Sequence, residues 1–489
     1  MVFSSIIFLF FFLPITLTLY LLSGRKLRNI VLLLASLLFY TWGEGKYVSV
    51  LLVCIVANYI FAALMEISYG TVNRPVFLCR PKVFLVFGVI FDIGLLFYFK
   101  YANFVVENLN LLAPWSGIAP ITLSKIHLPL GISFFVFQAI SYLIDVYRRD
   151  VKATYNPVKF AVYKSLFPQL IAGPIVRYRD VAGQVAHRVI TAEGFAIGVS
   201  RFITGLGKKV LIANTLAVAA DRIFAISGDY LRPGVAWLGA VCYTLQIYFD
   251  FSGYSDMAIG LGRMLGFDFL ENFNYPYVSK SMQEFWRRWH ISLSTWFRDY
   301  LYIPVGGNRG GEGKTYFNLM LVFFLCGLWH GASWTFVIWG MWHGLFLILE
   351  RLKICSIPRR IGRPIGHAYT MLVVTIGWVF FRSANLAYAL VYIKAMFGFH
   401  AKGFTPYYLS MFLSNDLKLA VIAGVVGSMP IAEFFRKMWM SRASTYSPAV
   451  PSAGNSLALA NLVFLFAVFF LSAISLAGGT HNPFIYFRF

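Results

Sequence analysis

The chain has 489 residues, of which 59% are apolar, 18% aromatic and only 13% charged, with a formal charge of +22. A soluble protein of this length would divide into about two or three domains. A surface this apolar could not stay in water, so lipid must solvate much of it. The positive charge sits in short loops between apolar runs, a pattern of anionic headgroups and membrane topology rather than of nucleic-acid binding.

The first apolar run, Phe3–Leu22, has no basic stretch before it and no small-residue cleavage site after it. Met1–Ser23 therefore reads as a retained span and not as a signal peptide. Runs long enough to cross or partly cross a bilayer follow at Asn29–Trp42, Tyr47–Leu64, Val83–Phe99, Leu130–Val146 and Trp237–Phe251. Others lie at Leu319–Trp329, Thr335–Leu349, Met371–Phe381, Leu417–Phe434 and Leu457–Leu476. The expected fold is all-α and polytopic, with about 10–12 spans plus re-entrant helices in a single membrane domain. Three basic groups set the orientation: Arg25, Lys26 and Arg28; Arg74, Arg80 and Lys82; Arg148, Arg149 and Lys152. They place these loops in the cytoplasm and the N-terminus outside. From Tyr155 to about Gly313, prolines and charges interrupt the apolar pattern. Irregular backbone survives in a membrane only where protein covers it or it lines a cavity. The re-entrant segments and the site are therefore expected within residues 155–345.

The five cysteines, Cys54, Cys79, Cys242, Cys326 and Cys355, have neither metal nor redox spacing and read as packing residues. The glycine-rich Gly306–Gly311 lacks the lysine of a phosphate loop, and no nucleophile elbow or inverted repeat is present. Of eight histidines, three fall between residues 290 and 343. His330 lies in the apolar string Leu325–Trp334, where an ionisable group is a functional candidate by default. A neutral imidazole there is a usable general base; the alternative is a buried structural histidine. Gly327 and Gly331 flank it and would let a substrate approach closely. His343 repeats the Trp-His-Gly pattern. On one continuous helix it would lie ~20 Å from His330, which points to packing unless Gly331–Ser333 breaks the helix.

His290 follows Trp286, Arg287, Arg288 and Trp289 and precedes Trp296, Phe297 and Arg298. The aromatic residues recur at helical spacing, which suits an interfacial helix. The same residues suit the entrance of a phosphate-bearing donor held by arginines and aromatic faces. Asp250, Ser252 and Asp256, with Gln246 and Ser255, form a polar group in an apolar setting that needs partners. The arginines just downstream could supply them, as a structural ion-pair network or as part of a site.

Several strings together resemble the membrane-bound O-acyltransferase (MBOAT) family, in the subgroup of alginate, peptidoglycan and cellulose O-acetylase membrane subunits. They are Pro129–Phe134, Leu170–Pro174, Tyr248–Ala258, Glu284–His290, Arg298–Ile303, Leu328–Gly331 and the terminal Phe484–Phe487, in family order over nearly the whole chain. The resemblance implies a central helical funnel with His330 deep in the membrane and His290 as the second family position. The chain departs from the family pattern at Ser333, where asparagine often stands. The implied reaction is O-acetylation of an envelope polysaccharide. Cytoplasmic acetyl-CoA is the donor substrate, no cofactor is permanently bound, and a metal has no role. His330 would deprotonate the acceptor hydroxyl, and His290 would position the donor or stabilise the oxyanion. Arg287, Arg288, Arg298 and Trp286 would hold the donor, with Asp250, Ser252, Asp256 and Ser333 in support. The implied partner is a periplasmic acetyltransferase or acceptor protein, reached from a bacterial inner membrane. Peptidoglycan is the alternative acceptor. A transporter with a histidine proton relay is the rival class, and release of free coenzyme A separates it from an enzyme.

Overall fold

A backbone in lipid must satisfy its own hydrogen bonds, and a helix does so within one segment. The computed structural model describes residues 1–70, 80–116, 119–354, 362–399, 405–431, 452–479 and 481–483, and no strand occurs among them. Arg74, Cys79, Cys355, His400 and the terminal Phe484–Phe487 string lie outside the described residues. Five described helical stretches are long and apolar enough to span: Arg28–Tyr69, Pro81–Trp115, Ala192–Phe224, Arg363–Arg382 and Ala458–Ala477. The chain is an all-α polytopic membrane protein. The first of these stretches is two helices, Arg28–Glu44 and Val48–Gly70, separated by a tight turn in which Gly45 takes φ +54°.

The middle of the chain corrects one expectation. Ala192–Phe224 was not read as a span, because Arg201, Lys208 and Lys209 lower its apparent hydropathy. Those cations are matched inside the protein. Arg201 and Lys208 reach Asp256 at 2.9 and 2.7 Å, and Lys209 pairs with Asp250. The partners of the acidic cluster thus come from upstream, not from the downstream arginines. The partner helix, Pro233–Met264, runs far beyond the expected Trp237–Phe251. The two helices approach closely at Gly205, where a Cβ would lie 2.6 Å from the Gly253 carbonyl oxygen.

Contacts tie the helix ends that adjoin the three basic groups to neighbouring segments. The end of helix Val48–Gly70 reaches the end of helix Ile132–Arg148, where the Tyr69 hydroxyl donates to Tyr147 O at 2.6 Å and Arg149 covers the Tyr69 ring. The start of helix Arg28–Glu44 meets a distant segment, with Arg188 donating to Asn29 Oδ1 at 2.8 Å. Arg177 closes the group through Asp299 at 2.8 Å, and Arg148 donates to Asp299 O at 3.2 Å. The other end of helix Ile132–Arg148, at Gly131, lies about 25 Å away, the length of 17 residues at 1.5 Å each.

Candidate active site

The chain from Met282 to Arg351 builds the site. The tryptophan stripe around His290 is not one interfacial helix. Two short helices, Met282–Arg288 and Ile291–Phe297, meet at His290, whose backbone is left-handed at φ 44° and ψ 56°. A non-glycine residue in this region is uncommon, and such strain clusters at functional sites. The kink turns Trp289, His290 and Trp296 inward, and all three are buried.

Asn272 fixes the His290 ring. Its Oδ1 lies 3.0 Å from His290 Nδ1 and also accepts from Ser292 Oγ at 2.9 Å, while its Nδ2 donates to Ser255 Oγ at 3.1 Å. An amide oxygen can only accept, so His290 Nδ1 carries the proton. Nε2 is then the basic nitrogen, and it has no protein partner among the described residues.

His330 ends helix Gly311–His330, and Gly331 turns extended. Ser333 then caps helix Trp334–Arg351, its side chain accepting from Thr335 N. Asparagine is an equally good helix cap, so the family departure at Ser333 exchanges one capping residue for another. The break places His330 and His343 on different helices, and the continuous-helix spacing does not apply. Trp339 sits between them, 4.9 Å from His330 and 5.1 Å from His343 ring to ring. His343 packs against Trp286 and Phe285, with no hydrogen-bond partner among the described residues. Trp329 lies between the other pair, 6.1 Å from His290 and 4.8 Å from His330. The glycines beside His330 serve packing, not substrate access. A Cβ at Gly327 would strike the Phe336 carbonyl, and one at Gly331 the Phe336 ring.

Two cavities flank the last turn of the His330 helix. The larger, about 480 Å³, is lined by Trp286, Arg287, Arg298, Phe323, Cys326 and Arg351, among others. It lies near Arg148 and Arg177, because Arg298 adjoins the Asp299 that both of them hold. The Trp286 indole N–H has no acceptor among the described residues. The smaller cavity, about 60 Å³, is lined by Pro129, Gly131, Ser133, Trp329 and His330 at the opposite end of helix Ile132–Arg148. Cys326 faces one cavity and Trp329 the other, so the partition is roughly one helical turn.

The remaining expected residues fall elsewhere. Arg288 is not in the larger cavity's lining; it pairs with Glu284 at 3.0 Å and donates to Asn274 O at 3.0 Å. Ser252 and Asp256 line a third, polar cavity of about 460 Å³ behind His290, together with Asn272. Asp250 is buried against Lys209. Two residues that sequence reading passed over belong to the site. One is Asn272, for which no motif exists. The other is Lys100, buried beside His330 in the small cavity. A lysine at the end of the apolar run Leu95–Phe99 was a legible signal for it.

Fold and site together describe a polytopic membrane protein in which His290, His330 and His343 are buried around Trp329 and Trp339. The membrane-bound O-acyltransferase family matches residues 132–359. The chain is 45% identical to the probable alginate O-acetylase of Azotobacter vinelandii over 100% of both chains. It is 50% identical to that of Pseudomonas aeruginosa over 82% of this chain and 75% of the relative. It is 36% identical to the peptidoglycan O-acetyltransferase of Helicobacter pylori over 81% of this chain and 80% of the relative. The chain belongs to the membrane-bound O-acyltransferase family, and it is an O-acyltransferase.

Proposed function

We propose that this protein is a bacterial inner-membrane O-acetyltransferase that passes acetyl from cytoplasmic acetyl-CoA to an acceptor hydroxyl on the periplasmic side, for O-acetylation of an alginate-like exopolysaccharide. The observation that carries this is the pair of cavities along one helix, the larger lined by Cys326, Arg287, Arg298 and Arg351 and the smaller by Trp329 and His330. The larger cavity falls in the ~300–1,000 Å³ range of small-molecule sites. Arg287, Arg298 and Arg351 on its walls suit a phosphorylated donor, whose charges keep it on the cytoplasmic side.

In this reading the acetyl thioester reaches the partition from the arginine-lined side. The acceptor hydroxyl enters the small cavity, and neutral His330 removes its proton. The oxygen attacks the thioester carbonyl, the tetrahedral intermediate collapses, and the coenzyme A thiolate leaves with the proton that His330 held. His290, fixed by Asn272, positions the donor or stabilises the oxyanion. Acetyl-CoA is a substrate here, and no resident cofactor takes part. The immediate acceptor is a hydroxyl of a periplasmic acetyltransferase or acceptor protein that passes the group to the polymer. The near full-length identity to probable alginate O-acetylases favours alginate. The Helicobacter pylori relative keeps peptidoglycan as a second acceptor.

The test is His330→Ala in the full-length protein, read as ester-linked acetyl on exopolysaccharide and as free coenzyme A released by purified protein. Both are expected to disappear at normal membrane abundance. Normal acetylation by that variant would refute the general base. Absence of coenzyme A release by the purified wild-type protein would favour the transporter reading.

A further inference from the structure

A helix leaves its last carbonyls without intrahelical partners, and a buried helix end must find others. Helix Gly311–His330 ends in the middle of the site, where Gly331 N still bonds Gly327 O at 3.2 Å and the ladder stops. The carbonyls of Leu328, Trp329 and His330 then face another helix. Tyr101 Oη donates to Leu328 O at 2.8 Å. Lys100 Nζ donates to Trp329 O, to His330 O at 3.2 Å and to Ser133 Oγ at 3.0 Å. Two adjacent residues thus serve three consecutive carbonyls. Both donors lie in Phe97–Tyr101, a π-helical turn, a widening that recurs at functional sites.

We infer that Lys100, assisted by Tyr101, is a positioning residue that holds the terminal turn carrying His330 in register between the two cavities. The inference rests on His330 being the base. A cation at a helix C-terminus is favourable in itself. An ammonium has three hydrogens, and all three have protein acceptors here, so none is left for substrate. Lys100 therefore acts through the main chain of Trp329 and His330. Its side chain also forms part of the small cavity's wall, so truncating it leaves room that a small ammonium can refill.

The experiment uses the full-length protein in nanodiscs and follows coenzyme A thiol released from acetyl-CoA, comparing wild type with Lys100→Met, Lys100→Ala, Lys100→Arg, Tyr101→Phe and His330→Ala. Lys100→Met is expected to lower kcat by about 10–100-fold, the range for losing a group that orients a catalytic ligand, with KM for acetyl-CoA within about twofold. Lys100→Arg should restore part of that loss, and propylammonium should restore part of the Lys100→Ala loss. Should Lys100→Met fail to accumulate, Tyr101→Phe removes a single hydroxyl and is expected to lower kcat by about 3–10-fold, the scale of one hydrogen bond. Wild-type kcat in Lys100→Met or Tyr101→Phe, with His330→Ala inactive, would overturn the clamp alone. Loss of kcat with an equal rise in KM, and no recovery with arginine or propylammonium, would overturn it as well. Turnover by His330→Ala would overturn both the clamp and the base.

Discussion

Replacing Asn272 with leucine removes one side-chain oxygen and keeps the volume. That oxygen accepts from His290 Nδ1 at 3.0 Å, Ser292 Oγ at 2.9 Å and Ser292 N at 3.3 Å. All three residues are buried. Two side-chain donors then lose their acceptor, at about 1–3 kcal/mol each. The expected destabilisation is about 2–6 kcal/mol, large against the about 5–15 kcal/mol that holds a typical protein folded. The ring of His290 also loses the bond that sets its tautomer. Turnover should fall by about 10–100-fold in the fraction that remains folded. Asn272→Asp keeps an acceptor for Nδ1–H and should recover most of that turnover. The assay pairs thermal unfolding in detergent with coenzyme A release. An Asn272→Leu protein with wild-type Tm and wild-type kcat would refute the reasoning.

Other consequences are equally direct. Arg287→Gln and Arg298→Gln should each weaken acetyl-CoA binding about tenfold, the equivalent of about 1.4 kcal/mol from one charge-assisted bond, as read by calorimetry. Arg288→Gln should change it by less than about threefold, because Arg288 lies outside the larger cavity's lining and pairs with Glu284 and Asn274. Gly327→Leu should destabilise by about 1–3 kcal/mol or more in unfolding measurements, since the added side chain meets the Phe336 carbonyl of the next helix. Burial alone would raise the Asp299 carboxyl, but the hydrogen bond and charge of Arg298, with the charge of Arg177, hold it below its ordinary value. A depressed carboxyl stabilises the fold above its unfolded pKa, and that contribution fades as the pH falls. The Tm gap between wild type and Asp299→Asn should therefore be full at neutral pH and close below about pH 3.9, whereas a constant gap would contradict the pairing.

Much of the fold was legible because lipid imposes a simple rule: an apolar run must become a helix. The expected runs at Asn29–Trp42, Tyr47–Leu64 and Leu130–Val146 appear as helices with nearly those bounds. Hydropathy does not mark Ala192–Phe224, because it cannot see that Lys209 is cancelled by Asp250 on the next long helix. The stripe from Trp286 to Phe297 has helical spacing throughout, yet the left-handed turn at His290 cuts it; periodicity reports side-chain sequence and not the φ of one residue. The motif around His330 was visible as an ionisable group in an apolar string. Its glycines were visible too, but their neighbour turned out to be Phe336 and not a substrate. Asn272 carries no local signal, because its partners His290, Ser292 and Ser255 converge only through tertiary packing.

The central claim is that one helical turn separates a donor side from an acceptor side. Sealed proteoliposomes holding the full-length protein in one orientation test it most directly. Radiolabelled acetyl-CoA is supplied on the face carrying Arg148 and Arg298, and a hydroxyl-bearing acceptor, such as alginate with its periplasmic acetyltransferase, is enclosed on the other. Labelled ester is expected on the far side only, with coenzyme A released on the near side and both lost in His330→Ala. Ester formed solely on the side that received acetyl-CoA, or formed equally by His330→Ala, would contradict it.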